Sequence, residues 1–334
     1  MDRSWGRQWT MQDIARVAGV SVTTVSHTLS GKRAVRPETA ARIMRIVEEL
    51  GYVPDSAGRR LKSGRSRILA LAVPDISQSY FGSIARGAEE EADRRGYGLL
   101  VSSTADSDPR RESRYFSLVR ARAVDGLLYT GSRDMIPGQD LTRLVNEGPV
   151  VLVDEQMPTL PVPSVVSDNL RAGQIAGEHL AALGHTRPIV IAGPQGLKSQ
   201  VERVQGFRQS FNNAIVFYGS FDIESGYRLT ADALANGIDF TSVFAANDSL
   251  AVGAVRCLRD HGKSIPAEVS VIGVDDIELA ELVTPGLTTI RQNTEEMGKV
   301  AVTSLLDWLE TGEMPTSTVL PVELVEREST GVCR

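Results

Sequence analysis

Residues 10–31 read TMQDIARVAGVSVTTVSHTLSG, from Thr10 to Gly31. Thr10 suits a helix N-cap, and Asp13, three positions on, can return a bond to the cap backbone. Ile14, Ala15 and Ala18 follow at helical spacing before Gly19 ends the run. Ser21 then caps a second helix, Val22–Leu29, after a turn of only Gly-Val-Ser. Two helices joined by a short glycine-containing turn form a helix-turn-helix. A third helix starts at Pro37, whose fixed φ suits the first helical position, and carries Ala40, Ile43, Val47 and Leu50 as an apolar stripe up to Gly51. That stripe is the floor on which the first two helices pack. The expectation is a small all-α head over residues 9–53 that buries little area.

Working outward, residues 54–66 (PDSAGRRLKSGRS) are rich in Pro, Gly and Arg, with Leu61 as the one large apolar side chain. This composition is a linker, and one that can turn helical once its charges are neutralised. Gly58 opposes that by up to about 1 kcal/mol relative to Ala. Charge divides at the same point. Residues 1–66 hold 12 Lys/Arg against 6 Asp/Glu, leaving 24 against 36 for the rest, so a formal net of −6 conceals a basic head on an acidic body. A block of this kind points to a polyanionic partner, although a solvated basic face is the plain alternative.

From Arg67 the pattern changes to alternating strands and helices. Apolar runs at Ile68–Val73, Leu99–Ser102, Gly126–Tyr129 and Val150–Val153 alternate with helical stretches near 80–95, 110–123 and 138–147. The theme restarts with strands at Ile189–Ala192, Ile215–Phe217, Val243–Ala245 and Val269–Ile272 and helices near 169–183, 199–211, 224–236 and 249–261. A helix from Thr294 to Leu309 and a run at Val319–Val325 complete one or both sheets. Two successive sets of this kind imply an α/β body of two doubly wound lobes with parallel sheets and a cleft between them.

Several function classes drop out. The longest apolar runs fall far short of the ~20 residues of a membrane helix. The first nine residues carry Asp2, Arg3 and Arg7 with no apolar stretch after them, unlike a secretory signal. Cys257 and Cys333 form no Cys-x-x-Cys pair, and the four histidines include no His-Glu-x-x-His, so neither a disulfide framework nor a zinc site is expected. No Gly-x-Ser-x-Gly is present. Gly262-Lys263-Ser264 lacks the leading glycine and strand of a phosphate loop, and Gly96-Tyr97-Gly98 leads into a strand, not a helix. No cofactor, metal or catalytic residue is expected, and a reducing cytoplasm is the natural location.

Asp275 and Asp276 follow an apolar strand at the carboxyl edge where open α/β sheets bind ligands, and Asn247-Asp248 ends the strand before. Paired carboxylates can act as general acid and base; they also suit the hydroxyls of a sugar or nucleoside. Helix capping is the plain reading of Asp248 and Asp276. In the head, a second helix in the major groove presents Val22, Thr23 and His27 to base edges. Ser21, Thr24, Ser26 and Arg33 suit phosphates, which position without specifying. A Ser/Thr-rich helix start is otherwise only a well-capped helix.

The quoted segment, with Val35-Arg-Pro-Glu-Thr39, Leu50-Gly-Tyr-Val-Pro54 and the Leu61 linker, resembles the lactose-repressor (LacI/GalR) family of bacterial transcription regulators. The likeness continues through Ala192-Gly-Pro194, Arg203 to Gly206-Phe207, Glu224-Ser-Gly-Tyr227, Ala246-Asn-Asp-Ser249, Ser270-Val-Ile-Gly273 with Asp275-Asp276, and Leu287-Thr-Thr-Ile290. It implies a cytoplasmic, nucleoid-associated homodimer, or a dimer of dimers, that reads a pseudo-palindromic operator. The body is then similar to a periplasmic sugar-binding protein, with an N-subdomain of about 67–165 and 291–322 and a C-subdomain of about 166–290 and 323–334. The same resemblance assigns Thr10, Ser21, Val22, Thr23, Thr24, Ser26, His27 and Arg33 to DNA, Ala57 to the hinge helix and Leu61 to a minor-groove wedge. It assigns Tyr80, Phe81, Arg203, Phe221, Asn247 and Asp275 to the effector, with Asp154 and Asp168 as weaker candidates. The blander alternative for Tyr80 and Phe81 is that they are only core residues at a helix start. Three departures stand out: Arg36 where the family has a Ser cap, Gly58 for a hinge Ala, and a shortened 208–220 segment with Ser220 for Asp. A solute-binding protein with a bystander head and a cleft enzyme acting on a sugar are the alternative functions.

Overall fold

The computed structural model describes residues 9–30, 33–52, 65–104, 109–131, 143–146, 148–157 and 160–333, and the chain divides into two compact units at Ser66. In the first unit, α1 (Met11–Ala18), α2 (Val22–Ser30) and α3 (Pro37–Glu49) close on one small core of Ile14, Ala15, Ala18, Val25, Ile43, Ile46 and Tyr52. The capping box at Thr10 and Asp13 is formed, and Gly19 ends α1 at φ 63°, the left-handed geometry that glycine adopts without penalty. Arg36 provides no side-chain cap to α3, but Pro37 at the first position has no N–H to satisfy, and the Arg36 carbonyl accepts from Thr39 and Ala40.

The second unit contains two six-stranded sheets of the same winding. The first orders β11, β5, β4, β3, β1, β2; the second orders β12, β10, β9, β8, β6, β7. Their strands are β1 (Ile68–Val73), β2 (Gly98–Ser103), β3 (Gly126–Thr130), β4 (Val150–Val153), β5 (Ser164–Ser167) and β11 (Thr318–Leu320) in one lobe. The other lobe has β6 (Pro188–Ala192), β7 (Ile215–Tyr218), β8 (Ser242–Ala245), β9 (Ser270–Asp275), β10 (Thr288–Gln292) and β12 (Val322–Val325). Helices α4 (Ser79–Arg94), α5 (Pro109–Arg120) and α11 (Thr294–Thr311) belong with the first sheet. With the second go α6 (Asn169–Ala182), α7 (Lys198–Arg208), α8 (Ile223–Ala235), α9 (Asp248–Asp260) and the short α10 (Glu278–Leu282). Central strands such as β1, β3, β4, β8 and β9 are buried throughout or nearly so, as parallel strands covered on both faces must be.

The first sheet is wholly parallel, but the second is not: β12 runs antiparallel to β10. The two parallel-sheet lobes are those expected, with this one edge strand as the exception, and the reason for it is geometric. β11 runs toward the cleft, Pro321 carries the chain across, and β12 therefore begins at the cleft end of the other sheet and runs away from it. The other two crossings, after Ser167 and after Gln292, likewise leave from carboxyl ends of strands. Strands β5 and β10 and the helix α10 were not anticipated from sequence, and the helix expected near 138–147 lies mostly outside the described residues.

Candidate functional site

In the head, the sequence dictates which face of α2 is free. Val25 is fully buried in the core, which turns Thr23, on the opposite side, outward; Val22, in the first turn beside it, is 41% exposed. Ser26 and His27, four residues on from these, continue the same strip, half-buried at its edges. Ser21 Oγ accepts from the Thr24 N–H at 3.1 Å and pairs with Thr24 Oγ1 at 2.8 Å, so both hydroxyls start the helix. Thr10 Oγ1 is likewise engaged with Asp13, at 2.7 Å. Arg33 is exposed after the helix. An exposed valine and threonine at the start of the second helix are positioned to reach base edges, and the helix N-terminus favours phosphate. Ala57 and Leu61 lie outside the described residues.

In the second unit, the carboxyl ends of both sheets face each other across a cleft of about 690 Å³, the position where doubly wound sheets bind ligands. Tyr80, Phe81, Asp154, Arg203, Phe221, Asn247 and Asp275 all line it. Tyr80 and Phe81 meet edge to face, with ring centroids 5.2 Å apart, and Phe81 is also part of the lobe core, as its plain reading has it. Phe221 reaches the cleft because position 193 is glycine: a Cβ there would lie 2.3 Å from Cε1 of the ring.

Arg203 is 4% exposed on α7, with Nε donating to Asn169 Oδ1 at 2.8 Å and Nη1 to the Ala246 carbonyl at 2.6 Å. Its guanidinium lies 3.9 Å from Asp275, whose Oδ1 also accepts from Gln292 Nε2 at 2.7 Å. Burial pushes the Asp275 carboxyl up to about 7, against the pull of Arg203 and Gln292. Asp154, on the other lobe, accepts from the Tyr80 hydroxyl; desolvation raises its carboxyl and also holds the Tyr80 phenol well above its ordinary value. Asp154 and Asp275 have positive φ, 70° and 120°, and the latter is costly for any residue but glycine. Both aim a carboxylate at the cleft.

The neighbouring acids have other tasks. Asp276 is turned away into ion pairs with Arg291 and Arg327, each at 2.7 Å. Asp248 is fully buried and accepts from Thr289 Oγ1 at 2.6 Å and the Ile277 N–H at 3.0 Å, while Asn247 is the residue that caps α9. Asp168 caps α6 by accepting from the Arg171 N–H at 2.9 Å and is not among the cleft-lining residues. Asp275 and Asp276 are thus adjacent in sequence and divided in role.

Two cleft residues escaped the sequence reading. Glu155, 4% exposed at the end of β4, accepts from the Ser199 N–H at 3.1 Å and Oγ at 2.6 Å on the other lobe. Burial pushes its carboxyl up to about 7. Ser199 sits one helical turn before Arg203, the signal that could have singled it out. Lys198 bonds Gln156 beside this contact. Among the described residues no group of three or more His, Cys, Asp or Glu side chains could hold a metal ion, and no helix is long and apolar enough to cross a membrane.

Residues 10–55 match the family model for bacterial regulatory proteins of the lacI family, and residues 178–330 match that for a periplasmic binding protein-like domain. The chain is 34% identical to the HTH-type transcriptional regulator DegA of Bacillus subtilis (strain 168), covering 96% of this chain and 98% of the relative. It is 33% identical to the HTH-type transcriptional repressor CytR of Escherichia coli (strain K12), covering 96% of each. Among solved structures, the lac repressor dimer bound to operator and the anti-inducer ONPF matches with a TM-score of 0.88 at 27% identity, covering 97% of this chain and all of that one. The transcriptional regulator CelR in complex with cellobiose matches at 0.72 and 30% identity, covering 96% and 99%. With a helix-turn-helix head, a two-lobed body and near full-length likeness to such regulators, the chain belongs to the LacI family of bacterial transcriptional regulators.

Proposed function

We propose that this regulator is a repressor that binds a pseudo-palindromic operator as a homodimer in the cytoplasm, and that a small effector of the sugar class, held between its lobes, sets its affinity for DNA. The observation that carries the reading is the cleft itself: carboxylates and an amide at strand ends, with Tyr80, Phe81 and Phe221 as ring-sized apolar surfaces, in the same chain as a helix-turn-helix. A relative solved with cellobiose and another named the ribose operon repressor, 31% identical over 305 residues, support the sugar class. In this reading Val22, Thr23 and His27 read bases, Thr10, Ser21, Thr24, Ser26 and Arg33 position the phosphates, and Ala57 and Leu61 belong to a hinge that orders on DNA. The domains are the head at 9–53, the linker at 54–66 and the body at 67–334. Binding without turnover is the reading that the likeness to transcriptional regulators supports, and Asp276, committed to two arginines, is not available to the cleft. The effector acts only through a difference in affinity for the two states of the body. Electrophoretic mobility shift on DNA upstream of the protein's own gene, with and without a carbohydrate and nucleoside panel, tests it. Retardation that some member of the panel changes is expected; no retardation under any condition overturns it.

A further inference from the structure

The peptide that joins Ala192 to Gly193 is held at both ends. It lies where β6 leaves its sheet at the cleft, and its carbonyl accepts from the N–H of Gly219, shortly before Phe221, at 3.0 Å. Its N–H donates to Gln200 Oε1 at 2.9 Å, from the first turn of α7. Gly193 is also the surface against which the Phe221 ring rests, since a Cβ there would meet Cε1 at 2.3 Å, Cζ at 2.4 Å and Cδ1 at 2.8 Å. A peptide plane fixed by two hydrogen bonds thus forms the seat of the ring.

Glutamine is a costly choice for position 200. The residue is 1% exposed, is not among those lining the cleft, and its Nε2 has no partner among the described residues. A buried donor left unpaired lowers stability, and methionine would fill a similar volume without one. What the amide supplies is its oxygen, which the Gly193 N–H takes. The same helix carries Ser199, bonded to Glu155, and Arg203, beside Asp275, so Gln200 ties the seat of the ring to a helix already anchored in the cleft.

Resting on the effector reading above, we infer that Gln200 is a positioning residue for the effector: through the Ala192–Gly193 peptide it sets where the Phe221 ring stands, and so how a ligand is received against that ring. Gln200 itself touches no ligand. Its removal therefore acts on affinity only through Phe221.

Gln200→Met removes the acceptor and keeps the volume. One unpaired donor, Nε2, is exchanged for another, the Gly193 N–H, so the full-length variant is expected to melt within about 4 °C of the parent. The Gly193 amide should exchange its hydrogen at least about tenfold faster. Titrated calorimetrically with ribose, cellobiose and cytidine, the variant should bind whichever of them the parent binds about five- to tenfold more weakly, the scale of one hydrogen bond. In a Phe221→Leu background, which lacks the ring, the same substitution should change affinity by less than about twofold. Equal loss in both backgrounds overturns the inference, as does a Gly193 amide that stays as protected as in the parent. If Gln200→Met does not fold, Gly193→Ala intrudes on the same contact from the other side and should weaken the same probe at least about fivefold; unchanged affinity is again adverse. Binding of none of the three probes by the parent counts against the effector reading, while exchange at Gly193 still decides whether Gln200 holds the peptide.

Discussion

Glu155 of one lobe accepts two hydrogen bonds from Ser199 of the other, one from its backbone N–H and one from its hydroxyl, at 3.1 and 2.6 Å. The contact spans 44 residues of sequence and ties together the two sheets whose carboxyl ends form the cleft.

Its protonation links stability to pH. Burial first, and the nearby Asp154 charge in addition, raise the Glu155 carboxyl from 4.5 to about 7, opposed by Ser199 and Arg203. Between those values the folded protein holds a proton that the unfolded chain has released, so this contribution to stability falls as pH rises from about 5 to about 7. Asp275, also raised to about 7, acts with the same sign. Glu155→Gln should therefore melt higher than the parent by an amount that grows from about pH 5 to about pH 7 and then levels off, each 1 kcal/mol appearing as about 2–4 °C. Differential scanning fluorimetry across that range measures it, and a difference that shrinks with pH would contradict the assignment.

The adjacent aspartates should separate cleanly. Asp276→Asn breaks two ion pairs, one with an arginine that is itself mostly buried, and is expected to cost about 2 kcal/mol while leaving effector affinity near that of the parent. Asp275→Asn should abolish the effector response with a much smaller change in melting temperature. Calorimetry paired with thermal melts distinguishes them; equal behaviour of the two variants is the adverse result.

On the head, Thr23→Ala should change which operators are preferred if, as proposed, this exposed side chain at the start of α2 reads bases. Arg33→Ala should weaken all sequences alike and reduce the salt dependence by about one unit of slope. Fluorescence anisotropy on an operator series at several salt concentrations reads both effects. Uniform loss across that series for Thr23→Ala would remove it from the base-reading set.

Gly87 and Gly298 let α4 and α11 pack backbone to backbone: a Cβ on Gly87 would lie 1.9 Å from the Glu295 carbonyl oxygen, and one on Gly298 2.2 Å from that of Ile84. Gly87→Ala must push the helices apart and should destabilise the body by about 1–3 kcal/mol. Urea denaturation of the variant checks this; an unchanged midpoint would show that the pair has room to spare.

The head was legible because its signals are local. A capping box, a left-handed glycine and a Pro-first helix each announce themselves within four residues, and Thr10, Gly19 and Pro37 behave as their chemistry requires. The α/β alternation was legible from apolar runs, and the strands it missed are those lacking one. β5 is the short Ser-Val-Val-Ser between Pro163 and the Asp168 cap. β10 begins with Thr288 and Thr289, which look like surface residues but are fully buried, their polar groups paired with Ser329, Arg327 and Asp248. The run Val319–Val325 read as one segment, yet Pro321 divides it between the two sheets. Most cleft residues were marked by family resemblance and not by spacing. Glu155 was not, because its significance depends on Ser199, and only the closure of two sheets on each other brings them together.

The three chain crossings, after Ser167, Gln292 and Leu320, leave from strands that are neighbours at one edge of each sheet, β5 beside β11 and β10 beside β12. Three short straps in a row act as a piano hinge: they permit rotation about one line and resist sliding and twist. Motion between the lobes is thereby reduced to a single angle. On the proposed reading, ligands of different shape that set the same angle between the lobes drive the same output from this body.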